Sequence, residues 1–149
     1  MHDALSDFDS GKILLGILGH PFKCPPAPFE GALLLHDHFA GRGVRDSVEI
    51  RMVGPIAAPV PITKEVSQRI LDALTERGIE YVPNKHIVEL DTWNHEARLE
   101  SGGSIPYDLF VGIPVHRVPA VVEDSGLEVD GWVPVERTNW QHASRTSTR

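Results

Sequence analysis

The sequence predicts a three-layer α/β fold: a parallel sheet in the order β-α-β-α-β, with a small antiparallel β-meander inserted before one more parallel strand. Three observations predict it. Lys12-Ile13-Leu14-Leu15-Gly16-Ile17-Leu18-Gly19 is apolar after its first residue and does not alternate, as expected of a strand covered on both faces. Two helical segments follow, each leading into another short β-rich run. Around residues 87–100 the pattern changes to short strands separated by polar turns.

Each element has its own signal. After the first strand comes a proline-dense loop, His20-Pro21-Phe22-Lys23-Cys24-Pro25-Pro26-Ala27-Pro28. Residues 29–40 then read as a helix, with Pro28 at its first position and Glu30 in its first turn, and Gly41 and Gly43 end it. Residues 47–53 form a second strand, stopped by Gly54-Pro55. A second helix follows Thr63 as its N-cap, with Ile62, Val66, Ile70, Leu71 and Leu74 on its apolar face. Gly78 closes it, and residues 79–82 start a third strand. Residues 87–91 and 96–100, followed by Ser101-Gly102-Gly103, form a hairpin or meander, and residues 107–114 read as a further buried strand. This order is half of a doubly wound, Rossmann-like sheet. The expected organisation is a linker at 1–11, the Rossmann-like domain at 12–114 and a return segment at 115–149 that lacks a core of its own.

Composition narrows the function classes. The chain has 149 residues, 41% hydrophobic and 23% charged, which is ordinary for a globular domain and excludes a disordered or collagen-like chain. A net charge of −7 without clustered positive residues argues against nucleic acid. No apolar run approaches the roughly 20 residues of a membrane helix, and the acidic first ten residues do not resemble a secretory signal. The expected location is the cytoplasm or the periphery of the cytoplasmic membrane. A single cysteine, Cys24, excludes an internal disulfide framework and a thiolate zinc site.

The fold invites a nucleotide hypothesis, and the loop after the first strand argues against it. A dinucleotide site uses G-x-G-x-x-G so that backbone N–H groups can reach a pyrophosphate. Here four prolines remove donors from the turn, and Val53-Gly54-Pro55 replaces the acidic residue that would hold a ribose. The same loop holds Cys24, beside Lys23 and just before a helix N-terminus, both of which favour a thiolate. Read alone, Cys24 is equally a half-buried free thiol, and Glu30 an ordinary first-turn acid. His20, His36, His38 and His116 have no metal-binding spacing. His36 and His38 read as solvated surface, and Trp93, Trp132 and Trp140 as packing residues.

The segment Phe22-Lys23-Cys24-Pro25-Pro26-Ala27-Pro28-Phe29-Glu30 resembles the C-P-P-(A/G)-P-(Y/F)-E motif of the flavocytochrome c sulfide dehydrogenase and sulfide:quinone oxidoreductase family. These are FAD-dependent members of the pyridine nucleotide-disulfide oxidoreductase superfamily. Three more pieces resemble the family in order. Residues 4–12 look like its passage into the second Rossmann domain. Tyr107-Asp108-Leu109 through Ile113-Pro114-Val115-His116-Arg117 resembles the return toward the flavin, with Val115 where the family commonly has proline. Ser125-Gly126-Leu127 with Gly131-Trp132-Val133-Pro134-Val135 resembles the segment rejoining the FAD domain. The family's amino-terminal G-x-G-x-x-G, its V-Y-A-x-G-D flavin motif and its second redox cysteine are absent.

The resemblance implies a middle-domain fragment of a longer flavoprotein. Its catalytic residues are expected to be Cys24, as the redox thiol, and Glu30, as the proton-handling acid. Pro114, His116 and Arg117 are expected on the flavin side. It implies FAD in the full-length parent and none held by this chain alone, with electrons passing from sulfide or a related sulfur compound to a quinone or cytochrome. A homodimer through the surfaces left bare is the expected assembly. An NADH:quinone dehydrogenase-like flavoprotein and a non-catalytic Rossmann-like interaction module remain as alternatives.

Overall fold

β1 (Gly11–Ile17) is a central strand because nearly every residue in it is buried. In the computed structural model, which describes residues 2–143, it lies between β2 (Val48–Val53) and β7 (Leu109–Ile113), and β3 (Ile79–Val82) completes a parallel sheet of order β3-β2-β1-β7. Ile13 sits opposite Ile50 on one side and Leu109 on the other. Expectations placed on residues 144–149 lie outside the described residues. The chain divides into two compact units, Met1–Val115 and His116–Arg149.

The two faces of β1 explain its lack of alternation. Ile13, Leu15 and Ile17 pack against α2 (Ala27–Gly41) and α3 (Lys64–Glu76), among Phe29, Ala32, Leu35, Phe39 and Leu74. Leu14, on the other face, packs with Val53 against the antiparallel meander β4 (Ile87–Asp91), β5 (Glu96–Leu99) and β6 (Ser104–Pro106), where Ile87, Ala97 and Ile105 are buried. The arrangement is the three-layer α/β fold that the sequence predicts. Each large side chain buried between the layers contributes about 1.5–3 kcal/mol. Gly16 faces the meander, and its missing Cβ would stand 2.7 Å from the Phe110 ring and 2.8 Å from Ile87 Cδ1.

Several elements differ locally from the sequence reading. α2 begins at Ala27 rather than 29, because Pro26 accepts the first helical bonds from Phe29 and Glu30. It ends in a Schellman motif: Val44 N–H donates to the Phe39 carbonyl and Gly43 N–H to that of Ala40, with Gly43 at φ +74°. Thr63 precedes α3 but makes no side-chain capping bond. Ile62 is 91% exposed and Val66 45%, so the apolar face of α3 is buried only toward its C-terminal end, through Ile70, Leu71 and Leu74. The amino-terminal half instead buries Ser67, whose hydroxyl donates to the Val60 carbonyl and accepts its N–H. Trp93 and Trp140 are exposed rather than packed. Trp93 stands at the tip of the β4–β5 turn, where Asp91 accepts the N–H groups of Trp93 and Asn94 and holds the indole away from any layer.

Residues 2–10 form α1 (His2–Ser6) and an extended arm whose Leu5 and Phe8 pack against the core. Arg42 donates to the Leu5 and Phe8 carbonyls and pairs with Asp9. The second unit contains α4 (Ala120–Asp124) and two isolated antiparallel bridges, Val129–Trp132 and Val135–His142. None of its described residues is buried.

Candidate functional site

In parallel sheets, ligands gather outside the carboxyl ends of the strands, where neighbouring connections run in opposite directions. In this sheet that point lies between β1 and β7, because the chain leaves β1 toward β2 while β7 lies on the other side. The ladder continues one residue past the strands, with Leu18 N–H donating to the Ile113 carbonyl at 3.0 Å. At Gly19 the two segments touch: a Cβ there would lie 3.0 Å from Val115 Cγ2 and 3.2 Å from Val115 Cα. A side chain at position 19 would make a tight contact with Val115, so the two loops pack closely at this point.

The loop then runs from Phe22, buried in the helix-side core, to Cys24, which is exposed. Cys24 has φ +55°, in the left-handed region that costs a non-glycine residue of order 1 kcal/mol. Its carbonyl accepts the N–H of Ala27 at 2.9 Å. Phe29 and Glu30 donate to the Pro26 carbonyl at 3.1 Å, and Pro28 has no N–H. Residues 27–30 therefore present no unused backbone donor to an anion. Pro28 and Phe29 are buried, and the Phe29 ring meets Tyr81 edge-on at 4.9 Å. The Tyr81 hydroxyl donates to the Ile56 carbonyl, and burial pushes its pKa up to about 12.

The sequence-derived site residues are distributed as follows. Cys24, Glu30 and Pro114 all lie on the carboxyl side of the sheet, each of them exposed: Cys24 in the β1 loop, Glu30 in the first turn of α2, Pro114 directly after β7. Among the described hydrogen bonds none joins Cys24 to Glu30. His116, half-buried, and Arg117, exposed, belong to the second unit. Among the described residues no group of three or more His, Cys, Asp or Glu could hold a metal ion. His36 is not solvated surface: its Nδ1 accepts a hydrogen bond from Arg45.

Several large apolar side chains near this edge are exposed, a feature the sequence reading missed. Ile62 comes from the β2–α3 connection, Val66 from the first turn of α3, Val88 from β4 and Val115 from the segment after β7. Their exposures are 91%, 45%, 62% and 53%. Val88 and Val115 line a shallow concavity of about 310 Å³ with Leu18, Ile87, Leu90 and the charged Glu89. The signal was present in Ile62 and Val66, but helical periodicity says which face a residue lies on and not whether anything covers it.

These features define a Rossmann-like α/β domain that presents an exposed thiol at the carboxyl edge of its sheet. No protein-family model matches the chain. Among solved structures it is similar to the sulfide:quinone oxidoreductase of the hyperthermophilic bacterium Aquifex aeolicus, with 18% identity and a TM-score of 0.70, over 95% of this chain and 33% of that one. It is also similar to a chain of the mitochondrial ATP synthase of Tetrahymena thermophila (20% identity, TM-score 0.62, 94% of this chain and 36% of that one). A third similar structure is a ferredoxin reductase from Rhodopseudomonas palustris (17% identity, TM-score 0.60, 88% and 30%). The chain thus spans about a third of the length of each, and the likeness is one of fold. Among the described residues no helix is long and apolar enough to cross a membrane.

Proposed function

We propose that this chain is the second Rossmann-like unit of an FAD-dependent oxidoreductase that oxidises sulfide or a related sulfur compound through Cys24. The observation that carries the reading is the exposed Cys24 thiol in the proline-rich loop at the carboxyl end of β1, just before α2. The Cys-Pro-Pro motif and the likeness to a sulfide:quinone oxidoreductase support it. In this reading Cys24 enters as one half of a disulfide with a second cysteine of the parent. Hydrosulfide attacks Cys24 Sγ and the S–S bond breaks. The sulfur stays on Cys24 as a persulfide, and the partner cysteine leaves as a thiolate carrying the electron pair. Glu30 takes the proton of the hydrosulfide, and the resemblance assigns Pro114, His116 and Arg117 to the flavin side. FAD, if held by other segments of the parent, would supply the acceptor for that electron pair and its route to a quinone or cytochrome.

The test uses the native protein, chromosomally tagged and purified from its source. Sulfide should bleach its flavin absorbance, and Cys24→Ser should abolish that bleaching while leaving FAD content unchanged. Retention of sulfide-dependent bleaching by Cys24→Ser refutes the assignment. A second reading, an interaction module without catalysis, draws on the likeness to a chain of an ATP synthase and on the helix amides being used internally. A native preparation without flavin would favour it.

A further inference from the structure

β7 ends the parallel sheet: among the described residues it pairs with β1 alone, so its other side is a free backbone edge. A hollow of about 360 Å³ is lined by Leu109, Phe110, Val111 and Gly112 in unbroken succession, with Ala4 and Leu5 of the arm. Successive side chains of a strand point to opposite faces, so four consecutive residues share one hollow only where it runs along the edge itself. Leu5 also lines a second hollow, of about 220 Å³, with Leu34, Leu35 and His38 of α2 and with Val111, which puts the arm on the helix side of the strand. On the other face the Phe110 ring lies over Gly16 and Gly112, where a Cβ would stand 2.7 Å from it at either position. The ring is turned in over the sheet and leaves the edge clear. The two ends of the sheet differ in how they are protected. β3, at the opposite end, carries Glu80, which pairs with Arg51, and is followed directly by Pro83. β7 has five residues with no charge, no proline and no break in its register against β1. Charges, prolines and bulges are what keep a sheet edge from pairing with another chain.

We propose that this edge pairs with itself: β7 of one copy joins β7 of a second copy, antiparallel about a two-fold axis at Val111, and the two four-stranded sheets become one. The strand's own pattern fits that partner. Full overlap of the five residues sets Val111 opposite the second copy's Val111, Leu109 opposite its Ile113 and Phe110 opposite its Gly112. Directly opposed residues lie on the same face of an antiparallel pair. On the helix face, branched apolar side chains therefore meet their like. On the meander face, the strand's one aromatic side chain meets its one glycine. The neighbouring two-fold registers would set Phe110 against Phe110 or glycine against glycine, so the fully overlapped register is also the best filled. No charge is buried by the pairing, and an interface of this kind is isologous and closes at two copies. It falls at the small end of specific interfaces, so the expected Kd is on the order of 100 µM. The pairing is independent of any chemistry at Cys24.

The experiment is sedimentation equilibrium of the whole chain, kept reduced so that Cys24 cannot cross-link it, at concentrations from about 10 to about 500 µM, which bracket that Kd. A monomer–dimer equilibrium is expected. Val111→Lys and Val111→Glu each place like charges opposite one another at the axis and should weaken the dimer about tenfold. An equimolar mixture of the two variants should recover it as a heterodimer. Isotope-filtered NMR on a mixture of labelled and unlabelled wild type reads the register without any variant: contacts between the Leu109 methyls of one copy and the Ile113 methyls of the other are expected. A chain that stays monomeric throughout the range overturns the proposal. So do a dimer whose intermolecular contacts lie outside β7 and a mixture that associates no more tightly than either variant alone.

Discussion

The carbonyl of Cys24 accepts the N–H of Ala27, closing a turn into α2 in which Cys24 itself adopts φ +55°. A side chain at this angle is strained, and glycine is not. Cys24→Gly should therefore raise stability by about 0.5–1 kcal/mol, and the β-branched Cys24→Val should lower it by about 1–2 kcal/mol, both read from urea unfolding. If Gly is neutral or destabilising, the left-handed turn is not present in solution. The wild-type thiol, being exposed, should react completely with a thiol reagent in the folded chain.

Arg42 ties the amino-terminal arm to the end of α2 by two bonds to carbonyls and an ion pair with Asp9, with its side chain only 29% exposed. Arg42→Ala should cost about 1–2 kcal/mol and open residues 2–10 to rapid amide exchange, without altering the exchange of β2 and β3. Unchanged protection of the arm would show that Leu5 and Phe8 hold it by packing alone.

Gly16→Ala drives a methyl into the Phe110 ring and Ile87, both of which reach it with side-chain atoms that can yield in part. The expected loss is about 1–3 kcal/mol, with Phe110→Leu restoring part of it in the double variant. Additive losses would mean that the two sites do not meet.

Two groups with shifted pKa values tie stability to pH. Tyr81 is held neutral by burial, its pKa raised from 10.0 to about 12. Its contribution is whole below pH 10 and disappears as the pH rises through 12, so Tyr81→Phe should blunt the alkaline transition while losing one hydrogen bond, worth about 1 kcal/mol. Asp91 is stabilised as a carboxylate, chiefly by the Asn94 backbone N–H and then by its side-chain amide, with Arg98 adding less, and its pKa falls from 3.8 to about 2. Its contribution is present above pH 3.8 and fades as the pH drops through 2, an effect Asp91→Ala should remove from acid titrations. An unaltered acid limb in that variant would show that the turn does not depend on the carboxylate.

The strands and helices were legible where burial alone dictates residue type. The run Ile13 to Ile17 reads as doubly covered because both layers demand apolar side chains, and even Gly16 obeys the packing once Phe110 is seen above it. The Schellman close of α2 was legible because only glycine suits Gly43. The exposed start of α3 was not, since Val66 has the same periodicity whether or not a layer lies over it. The Cys24 loop could be placed from its prolines, but its left-handed backbone could not, because cysteine carries no signal for that angle. The bridge Arg45 makes from α2 to β2 and the end of α3 was invisible for another reason: three of its four acceptors are carbonyls, which every sequence possesses, and two of these lie more than thirty residues away.

β1 and β7 are neighbours in the sheet, yet Lys12 and Asp108, whose backbones meet at the start of that pairing, stand 96 residues apart in the chain. β2 and β3 reach their places through single-helix crossovers, while β7 arrives only after the whole meander has been made. Closing so long a loop is the costliest pairing in the sheet, so it should form last, and pulsed amide exchange should show Leu109–Ile113 protected after β2 and β3. Until then this heavily buried strand has one side open, with an unpaired backbone edge that carries no charge beyond Lys12. A polypeptide halted before residue 107, on the ribosome or by a protease, keeps that edge permanently bare and becomes a template for aggregation rather than a smaller version of the same fold.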